Sequence, residues 1–215
     1  MPRSARTIVD GGTYHVLTHG NNGQTVFHDD ADYQRYLELL AAYTQRHQLN
    51  VFHFILMPNH VHLVLEAPVG TSLSKAMSGL NLAYAWVYRK RHQYRGHLWQ
   101  GRFKSVLIDQ DRELLECGRQ IELSAVRGGL VAEPGQYSWS SYRAYADGAR
   151  IPLLAKHPCY ENLGASPRER QEWYRRFIHQ ARQRPAENAL GLPVSPRGRG
   201  RPKLEGITGE ATRRR

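Results

Sequence analysis

The stretch Leu56-Met57-Pro58-Asn59-His60-Val61-His62-Leu63-Val64-Leu65-Glu66 decides how the rest of the chain is read. Apolar residues run up to a Pro-Asn pair and resume directly after it, which predicts two extended segments, Val51 to Met57 and His60 to Glu66, joined by a tight turn into an antiparallel pair. In an extended segment side chains alternate faces, so His60 and His62 project together, roughly 7 Å apart along the strand, while Val61 points the other way toward a core. Two imidazoles on one face suit a shared cation, because neutral imidazole is a common metal ligand.

Working outward, Thr13 to Thr18 is rich in β-formers and predicts a first strand, and His19 to Gln24 is a loop by composition. Asp29, Asp30 or Asp32 can cap a helix whose stripe is Tyr33, Tyr36, Leu37, Leu40 and Tyr43. After the strand pair, Thr71 or Ser72 can cap a second helix carrying Leu73, Met77, Leu80, Tyr84 and Val87, with Arg89-Lys90-Arg91 near its end, where cations suit the helix dipole. Leu98 to Ile108 reads as a loop entering a last strand, and a third helix runs from about Asp111 to Val126, stopped by Gly128-Gly129. The order strand, helix, strand, strand, helix, strand, helix predicts an α+β sandwich with helices packed on one face of an antiparallel sheet.

The expected organisation is a main domain over 1–150, a helical extension over 151–183 around Trp173, Phe177 and Ile178, and a basic tail over 184–215 rich in Pro and Gly and expected to be disordered alone.

The formal net charge of the 215 residues is +11 and the isoelectric point about 9.9, which points to a polyanionic partner, most simply nucleic acid. The cations are not gathered on one amphipathic helix, and no apolar run approaches the roughly 20 residues a membrane span needs, so a membrane partner is not expected. The N-terminus carries no apolar signal region, and Cys117 and Cys159 have no metal-type spacing, so a reduced cytoplasmic setting is expected. Arg89, Lys90, Arg91, Arg95, Arg102 and Lys104 interleave with Trp86, Tyr88, Tyr94, Trp99 and Phe103, a pattern suited to phosphates and stacked bases, although Trp99 and Phe103 are expected mostly in the core. Arg127 is a further candidate for DNA contact. In the tail, Pro196-Arg197-Gly198-Arg199-Gly200-Arg201-Pro202-Lys203 resembles an AT-hook, whose arginines suit a narrow A·T-rich minor groove.

Pro58 to Val64 resembles the His-hydrophobic-His signature of the HUH single-strand endonucleases. More closely, the chain resembles the single-tyrosine transposases of small bacterial insertion sequences, nearest the REP-associated tyrosine transposases. Tyr14-His15-Val16 with Gly20-Asn21-Asn22, the Leu56 to Val64 stretch, Leu98 to Ser105, Ile121-Glu122-Leu123 with Val126-Arg127, and Trp139 to Tyr142 follow that family's pattern in order. The resemblance implies a ferredoxin-like fold, a bacterial, nucleoid-associated setting, cleavage and rejoining of single-stranded DNA next to a hairpin, Mg²⁺ or Mn²⁺ held by His60 and His62, and a tyrosine nucleophile that forms a 5′-phosphotyrosine link. It leaves open a monomer or a homodimer.

The departures fall on the third helix. Gln120 stands where the family has its nucleophilic tyrosine, and Ser124 where it has an asparagine that is a third metal ligand. An amide cannot form the phosphoester that a tyrosine can. The resulting expectation is a DNA-binding transposase-family protein with strand transfer impaired; the alternatives are an active transposase using a displaced tyrosine (Tyr84, Tyr137 or Tyr142) and an RNA-binding protein or metal-dependent ribonuclease.

Overall fold

The computed structural model describes residues 9–182. Strands β1 (Gly12–His19), β2 (Asn50–Met57), β3 (His60–Ala67) and β4 (Lys104–Ile108) form one antiparallel sheet in the order β2-β3-β1-β4. Helix α1 (Asp30–Arg46) connects β1 to β2, and α2 (Gly70–His92) connects β3 to β4. This is the expected ferredoxin-like α+β arrangement, and Pro58-Asn59 is the expected turn, with Met57 directly opposite His60.

Local chemistry accounts for the helix starts. The Asp29 side chain accepts the Asp32 backbone N–H and caps α1. Neither Thr71 nor Ser72 caps α2; the side chain of Asp10, far back in sequence, accepts the Gly70 N–H at 2.8 Å. The main core lies under α1 and α2, where Val61, Leu63 and Leu65 of β3 meet Tyr36, Leu40, Met77, Leu80 and Tyr84.

The helices do not all sit on one face. Helix α3 (Asp111–Glu122) and the short α4 (Ser124–Arg127), separated at Leu123, pack on the opposite face. There Leu114, Cys117, Ile121 and Ala125 cover Ile55, Met57, Val64 and Ile108 in a second core. The cause is written in β2, whose residues from Val51 to Met57 are all buried and so need cover on both faces. The expected single third helix is therefore two, held in line by the Arg127 N–H bond to the Leu123 carbonyl at 2.9 Å.

A third cluster joins Leu123, Tyr142, Tyr145, Tyr160, Tyr174 and Ile178. It brings the segment around α5 (Tyr142–Ala146), α6 (Pro158–Glu161) and α7 (Pro167–Arg182) onto the end of α3. Of the three residues expected to face inward on α7, Ile178 is buried, Trp173 and Phe177 are half-buried, and Tyr174 takes the central place. The basic tail, with Arg197, Arg199, Arg201 and Lys203, lies outside the described residues.

Candidate nucleic-acid processing site

Strand register gathers four histidines on the face that α3 only partly covers. The alternation of β3 turns His60, His62 and Val64 to that face. Opposite them on β1 stand His19, Leu17 and His15 respectively, and Lys104 of β4 pairs with Leu17. The His60 and His62 rings meet edge to face at 5.0 Å between centroids; His15 stacks on His62 at 5.1 Å, and His19 lies 5.4 Å from His60.

The pair expected from sequence is thus half of a larger group. From sequence His15 reads as part of a strand and His19 as the start of a loop; the structure extends β1 to His19, and the pairing partners of both follow from long-range register.

Each histidine of the pair has its inner nitrogen engaged. His60 Nδ1 lies 2.6 Å from Asn59 Oδ1. Because a carboxamide oxygen only accepts, His60 donates from Nδ1 and keeps a lone pair on Nε2. His62 Nδ1 lies 2.9 Å from His15 Nε2.

Burial holds His60 down to about 4, with His19 adding to the effect, and holds His62 well below the ordinary imidazole range. Both are therefore neutral at pH 7, as metal ligation requires. Among the described residues no group of three or more His, Cys, Asp or Glu is arranged to hold a metal. The donor set fits a divalent ion as two imidazoles whose remaining ligands are hydroxyl, carboxamide, water or phosphate oxygens.

The Pro58-Asn59 turn that carries the pair is clamped from outside. Gly20 N–H donates to the Asn59 carbonyl at 2.7 Å, and Val26 N–H to the Pro58 carbonyl at 2.7 Å. Gly20 has to be glycine here, because a Cβ would run into the Gln24 carbonyl.

Helix α3 meets the face along β2. A Cβ on Gly118 would lie 2.6 Å from the His53 ring, and one on Gly128 3.3 Å from Met57 Cε, so the α3–α4 line follows β2 from His53 to Met57. One flank is fixed by Glu122, which is buried. It accepts from Ser141 Oγ at 2.5 Å and from the Tyr174 hydroxyl at 2.8 Å, and lies 3.0 Å from His53 Nδ1. Gln120 and Ser124, four residues apart, lie on the flank of the helix line opposite Glu122. Both are half-buried, and Ser124 Oγ donates back to the Gln120 carbonyl at 3.3 Å, as does Arg127 Nη1.

The tyrosines lie elsewhere. Ten of the twelve are buried, and the other two, Tyr43 and Tyr94, pack against the core under α1 and α2. The three named as displaced nucleophiles are all enclosed. Tyr84 donates to the Val26 carbonyl at 2.7 Å, Tyr137 donates to the Leu56 carbonyl at 2.6 Å, and burial pushes the Tyr142 phenol up to about 12.

The expected basic residues part company. Arg91 is engaged internally with Asp29 at 2.6 Å and with Asp32, so it ties α2 to the cap of α1 rather than facing solvent alone. Arg89 donates to the Gly96 carbonyl at 3.0 Å, and Lys90 lies over Trp86. Lys90, Arg95 and Arg102 are exposed, and among the described residues no carboxylate pairs with them or with Lys104, which stands near enough to His19 to lower its basicity. Trp99 and Phe103 are in the core, as expected.

A family model described as "Transposase IS200 like" matches residues 8–119, just over half of the chain. The chain belongs to the IS200-like transposase family. That match covers the four strands and the histidine pair and ends at Arg119, one residue before Gln120. The transposase fold is seen again in a solved structure of a REP-associated tyrosine transposase bound to a REP hairpin, at a TM-score of 0.56 and 18% identity, covering 73% of this chain and 93% of that one. A crystal structure from Deinococcus radiodurans R1, also assigned as a transposase, matches at a TM-score of 0.38 and 20% identity over 53% of this chain and 91% of its own. No curated protein matches the chain. No helix of the described residues is long and apolar enough to cross a membrane.

Proposed function

We propose that this transposase-family protein binds single-stranded DNA adjoining a hairpin, and that its tyrosine-mediated strand cleavage is impaired. The observation that carries the reading is the enclosure of the tyrosines: ten of the twelve are buried and the other two pack against the core under α1 and α2, while Gln120 stands at the position where the resemblance expects the nucleophile. A carboxamide is not a nucleophile toward phosphorus under these conditions, and no buried phenol can reach the face without opening the core. The hairpin bound by the solved REP-associated transposase supports the choice of substrate class.

In this reading His60 and His62 would hold Mg²⁺ or Mn²⁺, with the Ser124 hydroxyl or the Gln120 carboxamide oxygen as a further donor. When bound, the ion polarises a phosphoryl oxygen and orients the strand. The chain's own residues do the rest. Asn59 sets the His60 ring, His15 sets the His62 ring, and Lys104 adds positive charge beside them for the phosphate. Lys90, Arg95 and Arg102 follow the backbone by charge. Among the residues outside the description, Arg197, Arg199, Arg201 and Lys203 add further phosphate affinity by sequence alone.

A fluorescent hairpin with a single-stranded extension, titrated against the full chain with Mn²⁺ and then run on a denaturing gel, tests both halves. The expected result is saturable binding, tighter than to matched duplex, with no covalent protein–DNA band. A robust covalent band from the native sequence would remove the claim of impairment, and absence of any preference for the hairpin would remove the substrate class.

A further inference from the structure

The outer face of α2 carries a second feature that the histidine face does not use. Its solvent-facing stripe is Thr71, Lys75, Ser78, Leu82, Trp86, Arg89 and Lys90, spaced three and four apart. Two large apolar side chains stand in the middle of that stripe, Leu82 at 71% exposure and Trp86 at 62%. An indole this exposed is uncommon on a surface with nothing to cover it. Beside the stripe a groove of about 490 Å³ opens between α2 and the 97–101 loop, with Leu82, Ala85 and Arg89 on one wall and His97 and Gly101 on the other. Asn21 and Asn81 line it too, the Asn81 side-chain oxygen being buried with no hydrogen-bond partner among the described residues.

Charge identifies the occupant. From Ala67 to Ile108 there is no Asp or Glu, while that span holds seven Lys and Arg. Arg91 is neutralised by Asp29 and Asp32, which leaves the cations around the groove uncompensated. Lys90 Nζ sits 5.5 Å from the Trp86 ring centroid, so a cation stands next to the aromatic surface. An apolar protein partner would need acidic complement over the whole face. A nucleic-acid strand brings a flat base for the indole and a phosphate for the neighbouring cation in every unit.

We propose that this face seats an unpaired base of single-stranded DNA, stacked on Trp86 beside the groove, with Arg89 and Lys90 taking the adjacent phosphates and Asn21 offering hydrogen bonds to the base edge. This rests on the DNA-binding reading above. It adds a second contact, on the other side of the sheet from the histidines, that holds strand rather than processing it.

The test compares the full chain with its Trp86→Ala and Trp86→Phe variants by fluorescence anisotropy, on a hairpin with a single-stranded extension and on the same hairpin blunt-ended. Stacking of one base on an aromatic ring is worth about 1–3 kcal/mol by alanine substitution, so Trp86→Ala should weaken the extended hairpin about tenfold or more. The blunt hairpin should be unaffected, Trp86→Phe should restore most of the loss, and quenching of 2-aminopurine placed in the extension should vanish in Trp86→Ala only. Equal affinity of Trp86→Ala and the native chain for the extended hairpin overturns the groove while leaving the DNA reading standing, and so does an equal loss on both hairpins. Failure of the native chain to bind either hairpin removes the DNA reading and the groove with it.

Discussion

His15 Nε2 lies 2.9 Å from His62 Nδ1, and the other nitrogen of His15 is buried without a partner. One proton sits between the two rings, so their tautomers are tied together. If His62 donates from Nδ1, its Nε2 lone pair is free for a cation; if His15 donates instead, His62 carries its proton on Nε2 and cannot ligate there. His15 is therefore a positioning residue for His62, in the way that partners behind a metal-bound imidazole commonly are.

His15→Leu should lower Mn²⁺ affinity by about 10–100-fold, the usual effect of losing such a partner. His15→Gln, whose carboxamide oxygen can accept the His62 proton, should recover part of it. Isothermal titration with Mn²⁺ alone reads this directly, and an unchanged affinity in His15→Leu would disprove the role.

Burial holds both His15 and His60 down to about 4 in the folded chain, against an ordinary value of 6.5. Between those values the unfolded chain takes up protons that the folded chain refuses, so stability falls with pH across that window. Metal-free protein should show a level melting temperature above pH 7, a fall from about 6.5 toward 4, and a shallower fall in His15→Leu. A flat profile across that window would contradict the account.

Glu122 holds α3 to three separate parts of the chain: β2 through His53, the 140s segment through Ser141, and α7 through Tyr174. Glu122→Ala removes the acceptor shared by His53, Ser141 and Tyr174, of which Ser141 alone keeps another partner, the Phe54 backbone, and should cost about 3–5 kcal/mol in urea unfolding, as removal of one partner from a buried polar network does. Glu122→Gln, which still accepts through its carbonyl oxygen, should cost less. A loss under about 1 kcal/mol for Glu122→Ala would mean the network is not what fixes the helix.

Gly118 leaves room for the His53 ring, and Gly118→Ala places a methyl 2.6 Å from it. Overpacking of this kind costs about 1–3 kcal/mol. Because α3 must lift from β2 to relieve it, the His53–Glu122 contact should weaken as well, and imidazole NMR signals of His53 should shift. A variant with native stability and native His53 signals would show that α3 packs more loosely than the geometry implies.

Much of the fold was legible locally. The alternation from His60 to Glu66 and the Pro58-Asn59 turn fixed the strand pair, and the helical stripes from Tyr33 and from Leu73 fixed the two helices of the main core. What stayed hidden depends on long-range pairing. The uninterrupted apolar run of β2 hinted at burial on both faces, but an amphipathic helix does not say which face of a sheet it covers, so α3 was expected with the others. His15 and His19 joined the site only through register, and the ion pairs of Arg91 were hidden because Asp29 and Asp32 lie some sixty residues earlier. The departures at Gln120 and Ser124 were readable from sequence, whereas the burial of ten of the twelve tyrosines was not.

The double variant Gln120→Tyr with Ser124→Asn, incubated with Mn²⁺ and a labelled hairpin carrying a single-stranded extension and resolved on a denaturing gel, tests the central claim most directly. The account predicts a covalent protein–DNA band that the native chain lacks and that His62→Ala abolishes. A folded double variant that binds the hairpin and forms no such band, or a native chain that already forms it, would contradict the view that the histidine face is intact and only its nucleophile is missing.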